Sequence, residues 1–163
     1  MCFDTASSNT GRLAGACVLL EQKIGMKIFS LACRHQLMKI LISAVYQVCL
    51  ESTSTPQVPI FTRFQKYWMF FTQSRFATGM SSDAVSTSVQ GIKDSTTKFA
   101  EGHLRESQPR DDYREFLELV IIFLRTVTEK GIRFIAPGAT HNARWLSKII
   151  HSLKIWMFRG QFG

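Results

Sequence analysis

At 163 residues the chain is long enough for one domain with a real core, and its 45% hydrophobic and 20% charged residues exclude long disorder. The net charge of +8 is uneven: residues 1–75 carry 8 basic and 3 acidic groups, residues 76–140 carry 8 and 9, and residues 141–163 carry 4 and none. Basic ends around a neutral middle suit a polyanion partner. No apolar run approaches the ~20 residues that span a bilayer, because Leu117–Leu124 is broken by Glu118 and closed by Arg125.

In chain order, Met1–Asp4 reads as the end of a short strand, followed by the polar turn Thr5–Gly11. Leu13, Ala16, Cys17, Leu20 and Ile24 fall at helical spacing, and Gly25 is placed to stop that helix. Met26–Ala32 is short and apolar and fits a buried strand. Leu37, Ile40, Leu41, Ala44, Val45 and Val48 mark a second amphipathic helix. Residues 1–50 therefore read strand–helix–strand–helix, an α/β unit with a right-handed crossover.

Residues 51–59 contain Ser, Thr and two prolines and read as a linker. From 60 to 163 the pattern is helical. Ile60, Phe61, Phe64, Trp68 and Phe71 predict an aromatic-rich helix. Residues 78–110 are polar and are expected to be mobile loops with one weak helix. A helix over 112–129 is predicted with Asp112 as cap and Glu115 completing a capping box. One side of it carries Tyr113, Phe116, Leu117, Val120, Ile121, Leu124 and Val127, and Gly131 can end it.

The last helix, about 141–158, has a core stripe of Ala143, Leu146, Ile150, Leu153 and Met157. Arg144, Lys148 and His151 share another face within about 60° of arc, Lys154 borders it, and Trp145 lies between the two faces. Such a face can grip a phosphate backbone and stack on an unpaired base. From pattern alone the first reading of such a face is a solvated surface with the indole in the core.

Chemistry-bearing patterns are sparse. Asp4 ends a strand, where carboxylates commonly hold Mg²⁺, although a single Asp serves as readily as a turn residue. Cys33 and His35 are too close for zinc-finger pairing and have no second ligand pair. Cysteines 2, 17, 33 and 49 form no Cys-x-x-Cys motif and are read as buried or half-buried free thiols. Met1–Gly11 has no basic start and no apolar core, so a secretory signal is not expected and the location is read as nuclear or cytoplasmic. There is no Gly-rich phosphate loop, nucleophile elbow or oriented Cys/His dyad, so neither a stand-alone enzyme nor a small-molecule substrate is expected.

Three segments resemble the hAT transposase superfamily: Phe3–Gly11 leading into a helix, Leu31–Leu37 leading into a helix, and Thr140–Ser147. Similar Asp-Thr-x-x-x-Asn and Cys-Arg-His segments occur in transposon-derived proteins of animals and their viruses. The resemblance implies a mainly α chain with a small α/β portion: a partial RNase H-like core interrupted by an all-helical insertion domain. It implies that Asp4 is a vestigial catalytic carboxylate, a Mg²⁺ ligand only beside partner carboxylates that this chain does not supply. It places Arg144 and Trp145 at DNA, with Lys148, His151 and Lys154 alongside, and Cys33 and His35 in a structural motif. Here Gln36 stands where the family has His, and His35 comes one place early. The implied function is a catalytically inactive transposase-derived fragment that binds DNA weakly and needs no cofactor itself, although an intact homologue uses Mg²⁺. The competing expectations are a helical module that docks on a protein or on itself, and a product without function.

Overall fold

The computed structural model describes residues 2–3, 6–29, 31–49, 59–106, 110–124, 134–138 and 144–162, and the side chains of Cys2, Phe3, Ala32 and Arg144 lie outside that description. The chain divides into two compact units, residues 1–54 and 55–163.

In the first unit β1 (Cys2–Phe3) pairs in parallel with β2 (Leu31–Ala32), Cys2 opposite Leu31 and Phe3 opposite Ala32. Around this two-residue pairing lie α1 (Ser7–Thr10), α2 (Ala16–Ile24) and α3 (Arg34–Cys49). Gly15 caps the start of α2 in extended conformation. Gly25 ends α2 at φ +74°, in the left-handed region that L side chains avoid, and its N–H closes on the Glu21 carbonyl.

The expected α/β unit is corrected here. The sheet among the described residues is two strands of two residues each, and the architecture there is helical with no RNase H-like core. The local reason is visible at residues 26–29. The Ile28 N–H donates to Glu21 Oε1 at 2.9 Å instead of to a neighbouring strand. Met26 and Phe29 are exposed, so no second layer buries this segment as a strand would require.

The second unit starts with α4 (Pro59–Tyr67), whose first residue is a proline, a position where its missing N–H costs nothing. A 3₁₀ turn, Trp68–Phe70, follows. Then come a second 3₁₀ turn at Gly79–Ser81, α5 (Asp83–Val89) and α6 (Lys93–Glu106). Residues 79–106 are thus largely helical where the sequence predicts mobile loops with one weak helix. Their polar residues serve the helices locally: Thr97 is buried with its hydroxyl donating to the Lys93 carbonyl, and Ser88 does the same to Ala84.

Helix α7 (Asp111–Leu124) packs against both α6 and α8 (Arg144–Met157). That two-sided contact explains why Leu117, Leu119 and Leu124 are all buried although they do not share one face. Arg125–Val127 and Gly131 lie outside the described residues, as does nearly all of the expected linker 51–59.

The core gathers Phe64, Trp68, Leu119, Phe134, Leu146, Ile150, Met157 and Phe158. Phe158 is its hub, with ring centroids 5.2 Å from Trp68, 5.8 Å from Phe71 and 5.0 Å from Phe134. Aromatic pairs at such offset and edge geometries add to the area they bury. A side-chain clasp closes this end: Gln161 accepts from the Thr72 N–H at 2.8 Å and donates to the carbonyls of Thr72 at 3.0 Å and Arg75 at 2.5 Å.

Candidate functional site

The densest polar chemistry among the described residues is inside the second unit. The Lys154 ammonium is 1% exposed, and it donates to Glu115 Oε1 on α7 and to the Ile135 carbonyl at 2.6 Å. It also lies 5.6 Å from the centre of the Trp68 ring. Burial pushes the Lys154 pKa below its ordinary 10.5, and the hydrogen bond and charge of Glu115 oppose that shift. Glu115 is 3% exposed and its Oε2 has no hydrogen-bond partner.

One turn back on α8, His151 is also buried. Its Nδ1 lies 2.7 Å from the Ser147 carbonyl, which can only accept, so Nδ1 carries the hydrogen. Nε2 lies 3.3 Å from the Gln65 amide nitrogen, and Phe61 meets the ring tilted by 31° with centroids 5.0 Å apart. This is a buried histidine with a hydrogen-bond partner at each ring nitrogen.

These placements revise the basic face read from the last helix. Lys154 and His151 point into the protein, toward α7 and α4. Trp145 is half-buried and meets Tyr113 edge-on at 6.4 Å. Lys148 is half-buried, and its carbonyl accepts from the Ser152 hydroxyl at 2.9 Å. Arg144 opens α8, while Thr140–Ala143 lie outside the described residues. An ammonium held between a carboxylate and a carbonyl inside the core cannot also reach a phosphate.

Asp4 lies outside the described residues. Cys33 stands just before α3, and its carbonyl accepts from the N–H groups of Gln36 and Leu37 at 2.8 and 3.2 Å. Cys33 and His35 are half-buried in that first turn. Cys17 and Cys33 are half-buried and Cys49 is exposed. Among the described residues no group of three or more His, Cys, Asp or Glu side chains converges as a metal site, and no helix is long and apolar enough to cross a membrane.

The second notable surface is on α3. Leu37, Ile40, Leu41, Val45 and Val48 are all exposed, Val48 at 82%, and none of the helix's described side chains is buried. The amphipathic pattern was legible, but its apolar side faces outward.

No family model, no curated protein and no solved structure matches the chain. Together with a fold that lacks the RNase H-like core, this overturns the resemblance to hAT transposases and the transposase-derived function drawn from it.

Proposed function

We propose that the first unit is a self-association module in which α3 pairs with α3 of a second copy. The observation that supports this is the row Met38, Leu41, Val45 and Val48, exposed along a single helix at intervals of 3, 4 and 3 residues. That spacing is the a/d seam of paired helices. A seam left in water forfeits the burial that makes short helices stable.

Charge favours a second copy in antiparallel orientation. The flanking positions Leu37, Ile42, Ala44 and Cys49 are uncharged, so no like charges line the seam. Both cationic groups of α3, Arg34 and Lys39, fall in its first six residues. Antiparallel pairing sets that end against the uncharged second half of the partner helix and opposes the two helix dipoles favourably.

The test is sedimentation velocity on the full chain across a hundredfold concentration range. A reversible monomer–dimer equilibrium that Leu41→Glu/Val45→Glu abolishes supports the reading. A monomer throughout, or a dimer untouched by that double substitution, refutes it.

A further inference from the structure

The second unit carries a different surface, independent of α3. Along α4 and the 3₁₀ turn after it, Arg63, Lys66, Tyr67 and Phe70 recur at intervals of 3, 1 and 3 residues and so share one face. The opposite face is spent on the core through Phe64 and Trp68. The unit's other aromatic residues nearby, Phe61, Phe71, Phe76, Phe158 and Phe162, are buried or half-buried. Tyr67 and Phe70 are left outside, Phe70 at 74% exposure, with their centroids 6.4 Å apart. The Arg63 guanidinium sits 6.0 Å from the Tyr67 ring and 5.0 Å from Phe162. No acidic residue occurs in 59–82 or in 144–162, and Arg75 and Arg159 add exposed cations to those segments.

We propose that this ridge binds single-stranded nucleic acid, with Arg63 and Lys66 on successive phosphates and Tyr67 and Phe70 as stacking faces for unpaired bases. Every base has a π-face, so such a platform needs no sequence code, while the cations fix the strand along it. Duplex nucleic acid offers its bases no access to the rings. An anionic membrane would use the same cations, but among the described residues of this ridge the strongly exposed apolar side chains are Met69 and Phe70, with Ile60 at 39%, whereas interfacial helices bury a whole apolar face.

The experiment is fluorescence anisotropy of labelled 15-nucleotide oligothymidylate and oligouridylate with the full chain, from 50 to 200 mM NaCl. Binding of either strand with a log–log salt slope of about −1.4 is expected, about 0.7 for each of two phosphates. Phe70→Ala is expected to weaken binding about fivefold or more with the slope unchanged, as loss of a base stack does. Lys66→Gln is expected to halve the slope. Both side chains are exposed, and circular dichroism checks that the fold is retained. The proposal is overturned if neither strand binds at 50 mM salt, if Phe70→Ala binds like the parent, if a duplex of equal length competes equally, or if the chain binds phosphatidylserine vesicles and no oligonucleotide.

Discussion

Removing Lys154 from its buried pair gives the sharpest test of the second unit. In Lys154→Met the side chain keeps similar volume, but Glu115 is left as a carboxylate in a core where its Oε2 already lacks a partner. Breaking a buried ion pair from one side costs about 3–5 kcal/mol, whereas replacing both charges by apolar groups is neutral or stabilising by about 1–4 kcal/mol. Glu115→Leu/Lys154→Met is therefore expected to regain the loss of either single substitution. For a unit of this size the single-mutant loss corresponds to roughly 10–20 °C in Tm. Urea unfolding and calorimetry of the parent, both singles and the double give the coupling directly. A Lys154→Met loss under about 1 kcal/mol, or singles that simply add in the double, would refute the buried-pair argument.

The same residue sets a pH dependence whose sign follows from its environment. Burial lowers the Lys154 pKa in the folded state relative to its ordinary 10.5. Between the lowered folded value and 10.5 the unfolded chain binds a proton that the native state has shed. Stability contributed by this group therefore rises with pH through that window and levels off above 10.5. Lys154→Met should lack this alkaline rise, and a parent whose urea midpoint falls more steeply than the variant's between pH 8 and 10 contradicts it.

Two further substitutions probe packing. A Cβ at Gly79 would lie 2.5 Å from the Phe123 ring, so Gly79→Ala should cost about 1–3 kcal/mol in urea unfolding, and Phe123→Leu in the same chain should recover part of it. Gln161→Ala removes three hydrogen bonds to the 72–75 turn. Because these are exposed, the expected loss is only about 1 kcal/mol, with faster amide exchange at Thr72; unchanged exchange there would show that the clasp is not formed in solution.

Local patterning was readable where one residue decides the outcome. Gly25 stops α2 because its backbone needs positive φ, and Leu146, Ile150 and Met157 lie in the core as their spacing requires. What failed depended on partners distant in sequence. Glu115 fits a capping box three residues after Asp112, yet the carboxylate is used by Lys154, 39 residues away. Asp112 instead pairs with Arg110 through two 2.6 Å contacts and accepts from the Tyr113 N–H at 3.0 Å. A helical wheel cannot distinguish a cation that faces water from one that faces a carboxylate on another helix. Spacing alone therefore sets His151 in a row with Arg144 and Lys148, and Lys154 at its border. The strand expected at 26–32 survives only as Leu31–Ala32, since apolar composition does not supply the further strands that an RNase H-like sheet needs. The ridge on α4 escapes that reading because the spacing that singles out Ile60, Phe61, Phe64, Trp68 and Phe71 leaves out Tyr67 and Phe70, which the structure puts on the surface.

The way Phe158, His151 and Gln161 meet α4 and the 72–75 turn bears on folding speed. Helical domains usually fold fast because their contacts are short-range. Here Gln65 meets His151 across 86 residues and Gln161 meets Thr72 across 89. Closing a loop of that length costs about (3/2)RT ln n, roughly 4 kcal/mol of chain entropy, before the aromatic hub can repay it. If that closure limits the folding rate, α4 and α8 meet in the transition state, with α5–α7 as the loop they close. Substitutions at Phe64 or Phe158 should slow folding, whereas substitutions at Thr97 or Ala100 on α6 should mainly speed unfolding.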